Sequence, residues 1–379
     1  MTIALIDSNA VIGFHIEDTN HDGRLDVTKG DKVGATCALC HTRIGFHVLQ
    51  VPGGGGIGFR EDGRATHNLD FGSLLALAEN PKAYWPSLQL ALHANGGKTL
   101  GRAPTGLTLE SSEDEVRAYL RNKNYYPVGM FDDSVDGNGD PMHNSALFRQ
   151  DLAGPYGTFG SIGRLDNFSN LVYTTLFDPT ILTTPAGRAF VTKLGGEAAG
   201  NEMVDDYVKI LADTGVTGYP FVKSSPPANP GQSGSEDYPT GVRVDEQKLL
   251  DLDAYLDTLS APHGDHGDAR MVSRGRELFT TTGGCTSCHN VDQNRPVPAF
   301  IVPMKRIFPG DNPEVLLAQR TPPLNPILHT PGSTFDAKAA VTNASLRGLQ
   351  RGAAMPLLLD LAEKPNFLHD NSVPSLDAL

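Results

Sequence analysis

The chain has 379 residues, 39% of them apolar, and a formal charge of −13. That length and apolar content suffice for roughly two to three packed domains, whereas the acidic balance excludes the basic surface that a nucleic-acid partner requires. No stretch approaches the ~18 consecutive apolar residues of a membrane helix, so no membrane span is expected.

The opening MTIALIDSNA carries Asp7 and Asn9 where a secretory leader needs an apolar core. Next comes EDTNHDGRLDVTKGD, in which Asp18, Asn20, Asp22, Gly23 and Asp26 stand at positions 1, 3, 5, 6 and 9 of a calcium loop. Position 12 is Lys29 instead of the bidentate Glu, which leaves Asp31 or water to complete a shell. The segment therefore reads either as a Ca2+ site or as a polar turn without metal.

CALCH, Cys37 to His41, follows directly and returns as CTSCH, Cys285 to His289; these two places hold all 4 cysteines. Two cysteines two residues apart can add to the vinyl groups of one haem, and the adjacent histidine then ligates the iron. A pooled four-cysteine zinc site would leave both histidines unexplained, and neither motif lies in the βαβ pattern of a thioredoxin-like redox pair. The cofactor expectation is two covalently bound haem c groups, on Cys37, Cys40, His41 and on Cys285, Cys288, His289. With no other cysteine, disulfides are not expected. Covalent haem attachment is periplasmic chemistry in most bacteria, so the expected location is the periplasm, with a leader already removed.

Past the first motif, PGGGGIGFREDGRA lets the backbone turn freely and approach a flat macrocycle, and it delivers His67, the first choice for the sixth ligand of the first haem. His47, His93, His143, Met130 and Met142 are rivals, and an open site is the other reading. LDFGSLLALAEN, PSLQLALHAN, SSEDEVRAYLRN and NEMVDDYVKILAD read as helices, the third opened by Ser112 with Glu115 in a capping box. Trp85, the only tryptophan, lies between the first two: either an electron relay or an aromatic packed in the core. Nothing of comparable length reads as an alternating strand.

DDSVDGNGDP repeats the first calcium-loop spacings but has Pro141 at the glycine position, and GPYGTFGSIG reads as a tight-turning loop. Residues 219–241, rich in Pro, Gly and Ser, form a long loop. VDEQKLLDLDAYLDTLSAP is an amphipathic helix closing a domain, and ARMVSRGRELF a new helix that leads to CTSCH. The boundary is expected near 261–268, giving domains 1–262 and 263–379.

Beyond it, RGRELFTTTGGCTSCH, SLRGL (345–349) and FLHDNSVPSL (367–376) together resemble the C-terminal haem domain of the bacterial dihaem cytochrome c peroxidase superfamily, which includes the dihaem enzyme maturing the methylamine dehydrogenase cofactor and the rubber oxygenases. The likeness covers about the last 130 residues. Asn371 stands where glycine is usual, and the later segment that brings a methionine to the peroxidases' second haem is not in this sequence. The rubber-oxygenase pattern implies His369 as the second haem's distal ligand, with Met355 as rival; His would lower the potential and Met would raise it. The resemblance also implies an interhaem role for Trp85.

The expected fold is thus mostly α: two cytochrome c-like haem domains with long irregular loops. The expected function is a periplasmic dihaem oxidoreductase of peroxidase type, one haem carrying electrons and the other meeting peroxide or dioxygen. A pure electron carrier and an oxygenase acting on a small apolar organic substrate are the alternatives. The expected redox partner is a small cytochrome or cupredoxin, steered by the chain's charge if cationic.

Overall fold

The computed structural model describes residues 12–51, 55–84, 107, 109–123, 128, 130–132, 141–157, 162–195, 197–223, 233–264, 267–287, 289, 301–303, 352–354, 357–365, 367 and 375–378. Among these the protein is partly helical with little sheet: nine α-helices and four separate two-stranded ribbons.

The helical core is built from segments that the sequence pattern marks clearly and others that it does not. Helix α1 (Ala38–His41) is the turn of the first cysteine motif, and α2 (Phe71–Leu75) is capped by Asp70. Helix α3 (Glu113–Arg121) opens with the expected reciprocal capping box: Glu115 N–H donates to Ser112 Oγ and Ser112 N–H donates to Glu115 Oε2. Its Val116, Tyr119 and Leu120 pack with Leu75 and with Tyr207, Ile210 and Leu211 of a longer helix. The order of elements continues through α4 (Gln150–Ala153), α5 (Leu165–Thr175), α6 (Pro185–Gly195) and that longer helix, α7 (Glu197–Asp213). Helices α6 and α7 cross closely at Gly200, where a Cβ would lie 2.6 Å from the Thr192 Cα, so any side chain there would force the pair apart. Helix α8 (Glu246–Asp257) starts at Asp245, whose side chain accepts from Lys248 N–H, and α9 (Ala269–Thr280) starts at Asp268 in the same manner.

Helices α5 and α6 lie where no helix was expected, and one reading is overturned outright. Strands β3 (Thr42–Val51) and β4 (Gly55–Asp62) form an antiparallel hairpin of ten and eight residues, directly after the first motif. Strand-length alternation is therefore present, and Gly55 and Gly56 of the glycine run open the second arm of that hairpin. His47 falls within β3, in the interval where the pairing register slips between Gly45 and Leu49. The flanking ribbon pairs β1 (Phe14–Glu17) with β2 (Lys32–Ala35); the remaining ribbons are β5 (Met130–Asp132) with β6 (Pro141–His143) and β7 (Ile301–Pro303) with β8 (Gly352–Ala354). Met130 and His143 thus face one another as backbone partners.

The long loop at 219–241 contains neither helix nor strand in its described parts, as expected. It is strapped down rather than loose: Phe221 and Val222 N–H groups both donate to the buried Asp178 carboxylate, and Glu236 accepts from Gly163 and Arg164 N–H groups.

Asp166 on α5 faces Asp253 on α8. Burial first, then the charges of Asp166 and Asp257, push the Asp253 carboxyl up to about 6, and its Oδ1 is buried without a hydrogen bond. The folded state thus holds this proton more tightly than the unfolded chain, so Asp253's contribution is fully present below pH ~4 and is lost as pH rises through about 6. Asp253→Asn is expected to stabilise the protein at pH 7.5 by about 1–2 kcal/mol, allowing for partial exposure, with the gap closing at pH 4. Urea unfolding at both pH values checks this; an equal gap at both would sink it.

Candidate haem-attachment site

The first motif folds as a single helical turn whose end is closed by two separate segments. Cys40 N–H and His41 N–H donate back to the Cys37 carbonyl at 3.2 and 3.0 Å, which sets both cysteines and the histidine on one short turn. Helix ends leave carbonyls without intrahelical partners, and here those of Cys40 and His41 both find one. Gly63 N–H donates to His41 O and Thr66 N–H to Cys40 O, both at 2.8 Å, while Thr66 Oγ1 donates to Thr42 O. The unexpected hairpin has this consequence: it carries the chain out and returns residues 63–66 to the motif it has just left. From a second segment the Asn144 amide donates to the same Cys40 carbonyl. On the other flank Gly13, with φ +97, approaches so closely that a Cβ would sit 2.5 Å from the Leu39 Cα.

The electrostatics of the three donor groups follow from this enclosure. Burial pushes the Cys40 thiol up to about 12 and raises Cys37 as well, whose sulfur lies beside the Tyr173 hydroxyl. Burial holds the His41 imidazole down at about 4, opposed by the backbone of Ser145 against the ring. His41 is therefore neutral at pH 7, the state in which an imidazole ligates a metal. Its Nδ1 is sealed from solvent and makes no hydrogen bond.

Behind the hairpin lies a second polar group that sequence reasoning did not find. Arg64, 8% exposed, meets Asp360 through two parallel bonds, Nε to Oδ2 at 3.0 Å and Nη2 to Oδ1 at 2.9 Å, and its Nη1 reaches Glu61 at 2.5 Å. Arg43 pairs with Glu363 at 2.8 Å. The Lys364 ammonium lies 5.7 Å from the Phe367 ring centre, and burial lowers it to about 8. Asp360 and Glu363, in the half assigned to the second domain, thus pair with Arg64 and Arg43 beside the first motif's hairpin. His67 sits among these cations: burial, then Lys364 and Arg43, lower its imidazole to about 4 and keep it neutral.

At the second motif, Cys285 begins a 3-10 turn (Cys285–Ser287), and His289 N–H donates to the Cys285 carbonyl at 2.8 Å, the same closure as in the first. Gly284 takes φ +60 before it. The Phe279 ring, at the end of α9, lies 6.4 Å from that of His289. Met271, Val272 and Leu278 of α9 are exposed. Cys288 lies outside the described residues, as do Trp85, His93, Met355 and His369.

In the loop after β1, Asp18 accepts from the Asp22 and Gly23 N–H groups, Asn20 from Asp22 N–H, and Asp22 from Arg24 N–H. Asp26 accepts from Thr28 and is paired with Lys29 at 3.4 Å. Asp31, 6% exposed, turns inward and accepts from Thr19 and Asp26 N–H groups. Among the described residues no three His, Cys, Asp or Glu side chains converge in a metal-holding group, and no helix is long and apolar enough to cross a membrane. No protein-family model, curated protein or solved structure matches the chain.

Proposed function

We propose that this protein is a dihaem c-type oxidoreductase, with one haem bound through Cys37, Cys40 and His41 and the other through Cys285, Cys288 and His289. The observation that carries the reading is the duplicated C-x-x-C-H, which accounts for all 4 cysteines. The donor set fits the group. Two protonated thiols and a neutral imidazole stand on one turn, and a buried ring nitrogen is left to be satisfied once the opposite nitrogen is ligated. When bound, haem supplies one-electron chemistry and, where the sixth position is open, a place for peroxide or dioxygen.

The chain's own residues hold and shield that chemistry. Residues 63–66 and Asn144 fix the attachment turn by its carbonyls, and burial keeps His41 unprotonated so that it remains a ligand at neutral pH. His67, also held neutral, is a proton acceptor near the first motif. His369, with Met355 as rival, is proposed as the second haem's distal ligand, and Trp85 as a relay between haems. The periplasm, and a small cytochrome or cupredoxin as partner, complete the proposal.

A pure carrier with both sixth positions filled reacts slowly with peroxide, because a bound ligand must leave first. Stopped-flow mixing with hydrogen peroxide is expected to give a fast absorbance change whose rate rises with peroxide concentration. Slow, concentration-independent bleaching would rule out the peroxidase reading and leave the carrier; a reaction with dioxygen alone would favour the oxygenase.

A further inference from the structure

Two buried polar atoms near the first motif have no hydrogen-bond partner, His41 Nδ1 and Asn144 Oδ1, and their residues meet at the Cys40–His41 peptide, whose carbonyl the Asn144 amide holds. The Cys40 carbonyl that takes the Asn144 Nδ2–H is the carbonyl of the Cys40–His41 peptide, so Asn144 grips the bond that carries the histidine. The next residue, Ser145, lays its backbone against the His41 ring. Asn144 is 3% exposed and 104 residues from Cys40 in sequence, and two residues beyond Ser145 the chain is anchored again by Leu147 N–H to Gly63 O at 2.7 Å. Residues 144–147 are thereby stapled to the same returning segment that caps the attachment turn.

We infer that Asn144 is the positioning residue of the first haem's proximal histidine: its amide holds the Cys40–His41 peptide and sets the Ser145 backbone where it can receive the imidazole Nδ1–H. The inference rests on the haem reading above and adds to it a residue that tunes that haem alone. Metal-ligating histidines donate their second ring N–H to such a group, which fixes the tautomer and makes the imidazole more electron-donating. A more donating imidazole favours the oxidised iron and lowers the potential. Losing the Asn144 grip relaxes Ser145 away from the ring, weakens that bond and raises the potential of the first haem. The second motif, with its own turn and the Phe279 ring beside His289, is unaffected.

The experiment is a spectroelectrochemical titration of the haem-loaded chain and of Asn144→Ala, with Asn144→Leu as the second variant: its side chain is close to the amide in size and shape but cannot donate to the Cys40 carbonyl and adds no charge. Both variants are expected to raise the reduced-to-oxidised ratio of one haem about tenfold at fixed potential, ~59 mV for one electron, while the other haem titrates as in the parent. Loss of the first haem alone from either variant supports the same role. Unchanged titration of both haems in both variants overturns the inference, as does equal loss of both haems, which would make Asn144 a general folding residue. A parent chain that carries no haem overturns the underlying reading instead, so the two failures are distinguishable.

Discussion

Arg64→Leu is expected to destabilise the protein by about 3–5 kcal/mol, the range for breaking a buried ion pair and leaving its partner uncompensated. The guanidinium is enclosed and answers two carboxylates at once, Asp360 by a two-pronged contact and Glu61 by a single short one. Removing it leaves two acidic groups near one another with side chains only 12% and 15% exposed. The Asp360 backbone, at φ 55, lies in the left-handed region that residues other than glycine occupy uncommonly. The loss has a location as well as a size. Because Arg64 stands between the segment that caps the first motif and the segment 357–367, the variant should become sensitive to protease near residues 355–367 before it unfolds globally. Urea unfolding with parallel limited proteolysis reads both effects. The double variant Arg64→Leu, Asp360→Leu should recover much of the lost stability, since an apolar pair of matched size leaves no stranded charge. A single-variant change below about 1 kcal/mol, the size of an exposed pair, would contradict the assignment.

Cys37→Ser with Cys40→Ser should lower haem content from two per chain to one, read as about half the parent's haemochrome absorbance at equal protein. Serine cannot form the thioether bonds, so the haem is lost on denaturation even if His41 still binds iron. The same change leaves two hydroxyls in a half-buried turn that is held by its carbonyls and not by its sulfurs, so the fold around α1 should survive. The pair at the second motif, Cys285→Ser with Cys288→Ser, should remove the other haem and leave the first. Retention of both haems by either double variant would be incompatible with the proposed attachment.

How much of this was legible in the sequence depends on the range of the signal. The capping box at Ser112 and Glu115 and the leucine spacing of α8 are local, and both elements stand where expected. The β3–β4 hairpin was hidden by its own glycines: Ile44, Phe46 and Val48, then Ile57 and Phe59, do alternate, but Gly45 and Gly53 to Gly56 interrupt the pattern and read as loop. Helix α5 lay behind a glycine-rich stretch, and its buried face includes the polar Asp166, Asn167 and Asn170, bonded to Arg243, Asp237 and Val242, which conceals the apolar period. Arg64 could not be found locally at all, because its partner is 296 residues away. Asn144 is the same kind of case. The proposed donor residues stand out in the sequence because covalent haem attachment would demand them at fixed spacing; the residues that support them are chosen by the fold.

The central claim is two haems held by covalent bonds. The most direct measurement is the intact mass of the denatured protein, made in a host that attaches haem c, followed by mass mapping of its peptides. The account predicts two haem masses retained, one on the peptide containing Cys37 and Cys40 and one on the peptide containing Cys285 and Cys288. A mass equal to the bare polypeptide with four alkylatable thiols would contradict it.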